Sequence, residues 1–195
     1  MRLPPLPAPA PPVTEEWLRA RNVGDPPRLT EPISVVAYDP EWPALYARHA
    51  ARIRAALGPT ALAVEHVGST AVPGLAAKFR IDVDVVVADP RLEDAYLPAL
   101  TAAGYVLRIR EPEWYEHRCL HGFDPPCNVH VFPPDCDEHL RHLILRDWLR
   151  THPEDRARYA AEKRRIATSG VTYMAEYANQ KSTIIIELLR RAGLT

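Results

Sequence analysis

The segment 80–87, RIDVDVVV, constrains the fold more than any other, because it sets two carboxylates in an otherwise apolar run. Its β-branched residues predict a buried strand. On a strand, Asp82 and Asp84 project from the same face, with Cα atoms roughly 6–7 Å apart. Two like charges held there repel each other and lose hydration, so the fold needs a compensating cation. A divalent metal is one candidate, and water or arginine at a strand end is the alternative.

A turn of small residues, Gly68-Ser69-Thr70, follows the predicted strand 61–67, and twelve residues separate Ser69 from Asp82. Glycine permits a sharp bend and lets a ligand approach the backbone closely. Ser69 and Thr70 supply hydroxyl and amide donors at the start of a short helical piece, which suits phosphate oxygens. The order of strand, turn and acidic strand therefore predicts a phosphate cradle beside a metal site.

Apolar periodicity, helix caps and turn residues divide the rest of the chain into strands and helices. We predict strands at 61–67, 80–87, 105–110, 115–120 and 127–132, and helices at 14–24, 39–58, 89–104, 136–151, 154–168 and 172–192. This pattern indicates an α+β fold, with a small mixed β-sheet, helices on one side of it and a helical C-terminal part.

The first part of the chain differs in composition, since six of its first twelve residues are proline. Such a composition favours an extended, flexible segment. We therefore predict a Pro-rich, flexible N-terminal extension at 1–31 and a single domain at 32–195.

Charge and cysteine content limit the class of partner. The net charge is −1, so nothing global indicates binding to nucleic acid or to an anionic membrane. The three cysteines and the lack of an apolar signal segment indicate a cytoplasmic protein with reduced thiols.

The pattern strand–GS–x12–DVDV resembles the core signature of the DNA polymerase β-like nucleotidyltransferase superfamily. Within it, the chain is similar to the GrpB (UPF0157) family from about residue 33 to residue 192. The segments that support this are EHVGSTAVPGLAAK, RDWLRTHPEDRARYAAEKRRIA and YANQKSTIIIELLRRA. The resemblance implies a nucleotidyltransferase fold for a family whose activity and substrate are poorly defined and that is in some bacteria fused to dephospho-CoA kinase.

Two departures bear on the activity. The family usually reads Lys-Pro-Ile-Ile-Asp before its aspartates, whereas here Lys78 is kept and Phe79-Arg80 follow it. Nucleotidyltransferases also usually carry a third acidic residue on a neighbouring strand, but the strand 127–132 offers Asn128 and His130 instead. His130 is then a metal ligand, a general base, or a structural residue hydrogen-bonded to Asp84.

Basic residues of the C-terminal helices are candidates to meet a triphosphate. Arg146 and Arg150, Tyr159 and Lys163, and Tyr177 and Lys181 are i, i+4 pairs that share helix faces; solvated helix faces are the alternative interpretation. The predicted nucleotide-binding residues are Gly68, Ser69, Thr70, Lys78, Arg146, Lys163 and Lys181, and the candidate substrate-binding residues are His66, His117, Arg118 and Tyr177.

A zinc site is a competing interpretation, because histidine and cysteine are dense in the segment 117–142. That segment has no C-x2-C pair, and buried cysteines are more often small apolar core residues.

These features predict an enzyme that uses Mg²⁺ and an NTP, with ATP favoured, to nucleotidylate a small-molecule acceptor, which could be a carboxylate activated for amide ligation. Asp82 and Asp84 would hold the metal, and the catalytic set would be Asp82, Asp84, His130 and Ser69, with His66 a weaker choice of base. The rival hypothesis is a non-catalytic module of the same fold that binds a nucleotide or a protein. The sequence predicts neither the acceptor nor the oligomeric state.

Overall fold

The computed structural model describes residues 3–195. It contains a five-stranded sheet with helices packed on both faces. The strands are β1 (Ala63–Val67), β2 (Ile81–Val86), β3 (Val106–Glu111), β4 (His117–Phe123) and β5 (Pro126–Phe132). The helices are α1 (Glu15–Arg21), α2 (Trp42–Leu57), α3 (Leu97–Ala102), α4 (Asp137–Thr151), α5 (Pro153–Ala167), α6 (Met174–Gln180) and α7 (Ser182–Arg191). No helix within residues 3–195 has both the length and the apolar character needed to cross a membrane.

The sheet is mixed, and its strand order is β1-β2-β5-β4-β3. Strands β2 and β5 run parallel, while the other neighbouring pairs are antiparallel. The register sets Asp82 beside Asn128 and Asp84 beside His130. The prediction that segment 127–132 lies next to the acidic strand is therefore confirmed.

The core forms on the face of the sheet opposite the two aspartates. Ile81, Val83 and Val85 of β2 are fully buried there, because alternate residues of a strand project to opposite faces. They belong to one apolar cluster with side chains of α2, α3 and β5, namely Trp42, Ile53, Leu100, Val129 and Val131. The acidic face is left for the helical C-terminal part, so the predicted α+β architecture is confirmed.

Two predicted helices differ from those observed. The segment 89–104 forms only a short 3₁₀ turn at Glu93–Ala95 and then α3. Pro98 lies in the first turn of α3; since proline has no backbone N–H, it cannot continue a helix from upstream. The segment 172–192 divides into α6 and α7 at Lys181, whose N–H donates to the carbonyl of Ala178, three residues back. This break brings Lys181 to the site described below.

The N-terminal extension, expected to be flexible, lies against the folded domain from residue 3 onward; we call residues 3–31 the strap. The Leu6 N–H donates to the carbonyl of Thr195 at 3.1 Å, and Arg141 Nε donates to the carbonyl of Pro5 at 2.8 Å. Further along, the Val23 N–H donates to the carbonyl of Arg108. The strap thus joins the C-terminal helices to the β3 edge of the sheet.

The close packing of β4 on β5 makes a testable prediction at Gly122. A Cβ atom there would lie 2.6 Å from Cys127 Sγ and 3.0 Å from Tyr105 Cε1. We expect Gly122→Ala to lower the free energy of unfolding by about 1–3 kcal/mol, because overpacking forces neighbouring atoms to move. Urea denaturation measures the change.

The matched control for this prediction is Cys127→Ala. Removing Sγ opens space for the new methyl group, so the double variant should lose less stability than the sum of the two single variants. Fully additive losses would contradict the packing explanation.

Candidate active site

The small-residue turn and the first aspartate are in direct contact. Strand β1 ends at Val67, which pairs with Asp82 on β2, and Gly68 follows with a φ of 69°. A Cβ atom on Gly68 would lie 2.5 Å from Asp82 Oδ2. Glycine is needed here both for the left-handed backbone and for the space that the carboxylate occupies. The predicted adjacency of turn and acidic strand is confirmed.

Asp82 is the more open of the two carboxylates, with 28% of its side chain exposed. Asn128 Nδ2 donates to its Oδ1 at 2.8 Å, and His130 Nε2 lies 3.8 Å from the same oxygen. Burial raises the pKa of Asp82, but the nearby His130 and Lys78 and the hydrogen bond from Asn128 more than offset this and hold the pKa below its ordinary value. Its Oδ2 accepts no hydrogen bond from a side chain of residues 3–195.

Asp84 is fully buried and closed off by two histidines of α4. His139 Nδ1 donates to Asp84 Oδ2 at 2.8 Å, and His142 Nδ1 donates to the same oxygen at 2.9 Å. Burial raises the pKa of Asp84, but the His142 charge and these hydrogen bonds outweigh it, so the carboxyl stays ionised. The same contact raises the pKa of His142 against the opposing effect of burial. The compensating charge at Asp84 is thus imidazolium.

His130 is the end of a chain of hydrogen bonds that begins at Glu111 and reaches the surroundings of Asp82. His117 Nδ1 lies 2.8 Å from Glu111 Oε2, and His117 Nε2 lies 3.0 Å from His130 Nδ1. A carboxylate can only accept, so His117 donates through Nδ1 and accepts through Nε2. Burial lowers the pKa of His117 to about 4, which keeps it neutral. His130 therefore donates through Nδ1, and its Nε2 faces Asp82 rather than Asp84.

The groups around His130 favour its charged form. Burial lowers its pKa, but Cys119, Asp82 and Asp84 raise it well above the ordinary value. The protonated form balances the negative charge of Asp82.

A cavity of about 430 Å³, counted to its open mouth, opens beside Asp82. Five predicted site residues line it, together with four residues that the sequence did not indicate. The first group is Gly68, Ser69, Asp82, Arg146 and Lys181, and the second is His142, Leu145, Leu149 and Tyr159. The cavity thus joins an acid, a hydroxyl and two basic side chains.

The two cavity cations are held by neighbours on different elements. Arg146 Nη1 donates to Glu65 Oε2 and to the carbonyl of His66, both at 3.0 Å, and its Nε donates to Asp147. Lys181 Nζ lies 4.8 Å from the centre of the Tyr177 ring, a cation–π distance. Arg146 is therefore fixed by carboxylates, whereas Lys181 has an aromatic support that leaves its donors for a ligand.

Lys163 is hydrogen-bonded to the turn at Gly68-Ser69-Thr70 but does not line the cavity. It is 2% exposed, and its Nζ donates to Ser69 Oγ at 2.9 Å and to the carbonyl of Ala76. Burial lowers the pKa of Lys163 to about 6. Its place indicates that it positions Ser69.

Several predicted residues lie outside the cavity. Thr70 is buried with its hydroxyl 3.1 Å from His66 Nε2, and burial lowers the pKa of His66 to about 4. Arg118 is held by Glu93 at 2.7 Å. The remaining predicted residues contact other groups. His117 is hydrogen-bonded to His130, the Tyr177 ring lies beneath Lys181, and Lys78 lines a second pocket described below.

The zinc interpretation finds no support in the described part of the chain. Among residues 3–195, no group of three or more His, Cys, Asp or Glu side chains is arranged to hold a metal ion. The three cysteines are buried as free thiols, and His139 and His142 of the dense segment are bound to Asp84.

The binding of Asp84 by two histidines of α4 was not predicted from the sequence. The spacing of His139 and His142 at i, i+3 on a helix was a visible signal, because it puts both rings on one face. The sequence did not indicate which acid that face would meet.

Comparison with known proteins places these features in one family. A family model described as "GrpB protein" matches residues 32–191. A UPF0157 protein of Halalkalibacterium halodurans is 47% identical over 184 residues, covering 94% of each chain. A dephospho-CoA kinase of Mycolicibacterium paratuberculosis is 36% identical over 68% of this chain but only 39% of its own length. The crystal structure of GrpB from Enterococcus faecalis, 29% identical, matches 81% of this chain and 98% of its own with a TM-score of 0.69.

The unequal environments of the two aspartates can be tested by stability. We expect Asp84→Asn to lower the free energy of unfolding at pH 7 by about 3 kcal/mol, because it breaks a buried ion pair. Asp82→Asn, at the cavity, should cost about 1 kcal/mol or less. Urea denaturation of both variants gives the comparison.

The pH dependence follows from the lowered pKa of Asp84. A depressed folded-state pKa stabilises the protein above the ordinary aspartate value of about 4, and this contribution is lost as the pH falls below it. The deficit of Asp84→Asn should therefore shrink below about pH 4. An equal cost for the two variants, or a deficit that does not change with pH, would contradict this assignment.

Proposed function

We propose that this chain, which belongs to the GrpB family, is a Mg²⁺-dependent nucleotidyltransferase-type enzyme that uses ATP to nucleotidylate a small-molecule acceptor. The observation that carries the proposal is the cavity beside Asp82, which joins an ionised carboxylate, the Ser69 hydroxyl and the side chains of Arg146 and Lys181. One carboxylate and two cationic side chains around one opening suit a metal-bound polyphosphate.

The nucleotide phosphates would lie between the small-residue turn and the C-terminal helices. Lys181 would bind them as a point charge and Arg146 through its guanidinium. Ser69, held from below by Lys163, would direct its hydroxyl at a phosphate oxygen. Gly68 has no side chain, which allows the Asp82 carboxylate to lie against the backbone at the edge of the cavity.

The residues present fit a magnesium ion held by one carboxylate. Mg²⁺ is often bound by one or two carboxylates together with substrate phosphates, and Asp82 Oδ2 borders the cavity free of side-chain hydrogen bonds. Asp84 has both oxygens close to His142 Nδ1, so we assign the metal to Asp82 alone. The bound ion would supply charge neutralisation at the leaving pyrophosphate.

In the proposed reaction, an acceptor atom forms a bond to the α-phosphorus as the bond from that phosphorus to the bridging oxygen breaks. Pyrophosphate leaves with the electron pair. Lys181 and Arg146 would stabilise its negative charge. His130 Nε2 faces Asp82 Oδ1 at 3.8 Å, so we propose that His130 orients this carboxylate, as a positioning residue in place of the predicted base.

A non-catalytic nucleotide-binding module is the second candidate. It is favoured by two observations: β5 presents His130 where an acid would be expected, and Asp84 is closed off by histidines. Such a module would bind ATP in the same cavity and release no pyrophosphate.

Calorimetric titration with ATP, with and without Mg²⁺, tests the proposal. We expect Mg²⁺-dependent binding, weakened about tenfold or more in Asp82→Asn and in Lys181→Met, because each removes a charge-assisted contact. Arg164→Met, which removes an exposed charge from α5, is the matched control and should bind as the wild type does.

Pyrophosphate release separates the two candidates. Release from ATP that depends on Mg²⁺ and Asp82 supports the enzyme, whereas binding without release under a panel of acceptors supports the module. If Mg²⁺–ATP does not bind, or binds equally well to Asp82→Asn, both candidates are wrong.

A further inference from the structure

A second pocket, of about 580 Å³ counted to its open mouth, lies between three distant parts of the chain. Without the open solvent at its mouth, its volume is about 270 Å³, just below the range of about 300–1,000 Å³ of small-molecule sites, which suits a small ligand. Residues 29–36, at the end of the strap and just after it, form one wall. Residues 78–79, before β2, form a second wall, and Met174 at the start of α6 forms the third. The lining residues are Leu29, Glu31, Pro32, Ile33, Ser34, Val36, Lys78, Phe79 and Met174.

Backbone hydrogen bonds fix the walls of this pocket. Val36 and Ala77 exchange a pair of N–H to carbonyl bonds at 2.9 Å, immediately before Lys78. The Leu29 N–H donates to the carbonyl of Thr172 at 2.9 Å, two residues before Met174. The pocket is therefore built by regular pairing of its walls, so it does not depend on the conformation of a single loop.

Lys78 is the one basic side chain in the lining, and its surroundings do not satisfy it. Its Nζ donates to Met174 Sδ at 3.4 Å; a thioether is a weak acceptor. No other side-chain or backbone acceptor within residues 3–195 takes a hydrogen bond from this ammonium, which has three donors. The apolar neighbours Phe79 and Val36 are 43% and 42% exposed. A cation set against exposed apolar surface suits an anion on an apolar body.

The second pocket lies close to the proposed nucleotide site. Burial lowers the pKa of Lys78 to about 8, with Asp82 raising it and Arg80 and Lys181 lowering it further. Lys78 therefore remains largely charged at neutral pH and lies within electrostatic range of both Asp82 and Lys181. A ligand bound by Lys78 would contact the chain four residues before Asp82.

We propose that the second pocket binds the acceptor, and that the acceptor is an organic acid with an apolar chain or ring whose carboxylate pairs with Lys78. The binding site stands on its own geometry, and only the role of acceptor rests on the proposed function. Glu31 lies at the exposed rim, so acids with one negative charge should bind better than those with two. The product would be an acyl-adenylate, in which the carboxylate oxygen is bonded to the α-phosphorus and pyrophosphate has left.

Calorimetry of the full chain with three probes of equal chain length tests the pocket: octanoate, 1-octanol and octylamine. We expect octanoate to bind about tenfold or more tightly than either of the others, because only octanoate can pair with the ammonium. Lys78→Met keeps the length and apolar character of the side chain. It should reduce octanoate binding to the level of octanol and leave octanol binding unchanged.

Arg164→Met is the matched control, since it removes an exposed basic charge from α5, outside the pocket lining, and should leave octanoate binding within about twofold of the wild type. The proposal is wrong if octanoate does not bind at about 10 mM, if it binds no better than octylamine, or if Lys78→Met binds it as the wild type does. Should Lys78→Met fail to fold, the comparison of the three probes on the wild type still decides.

This test and the test of the proposed function fail separately, because octanoate binding requires neither ATP nor Mg²⁺. Octanoate binding through Lys78 without ATP binding would contradict the nucleotidyltransferase proposal and support the acid-binding pocket. ATP binding without octanoate binding would contradict the pocket and leave the proposed function in place.

Discussion

The arrangement of the site depends on how the fold neutralises Asp84. This carboxylate is fully buried on a central strand, where an unpaired charge would be very costly. Helix α4 supplies His139 and His142 on one face, and both rings donate to Asp84. The same contact holds α4 against the acidic face of the sheet and brings Arg146, one turn further along the helix, to the end of β1. One buried ion pair thus sets the distance between the sheet and the basic helices.

The two aspartates that look equivalent in the sequence consequently differ in role. Asp84 ties two layers of the structure together, and Asp82 has one oxygen toward a cavity that basic residues surround. The chain from Glu111 through His117 to His130 places an imidazole beside Asp82 Oδ1 and leaves Oδ2 open. A carboxylate that is kept ionised, oriented and partly exposed is suited to bind a cation or a cationic group, and this distinction underlies the proposed function.

Local sequence signals predicted the parts of the fold that local interactions determine. Alternation located all five strands, and the turn at Gly68 fell beside Asp82 as its spacing indicated. The limits of α3 were missed because Pro98, inside the segment 89–104 that was predicted as one helix, lies in the first turn of α3. Pairings between distant segments were beyond reach: nothing in the residues near Asp84 specifies that histidines more than fifty positions later will neutralise it. The second pocket likewise requires the strap, the segment before β2 and α6 to meet.

In the proposed site, Asp82 alone binds the metal beside the nucleotide, while Asp84 remains hydrogen-bonded to His139 and His142. The most direct measurement is a crystal structure of the protein with Mg²⁺ and an ATP analogue whose α,β-bridging oxygen is replaced by a methylene group. We predict a cation bound to Asp82 Oδ2 and to phosphate oxygens, with phosphates near Ser69 and Lys181 and both Asp84–histidine hydrogen bonds intact. A cation bridging Asp82 and Asp84, with His142 displaced, would contradict it.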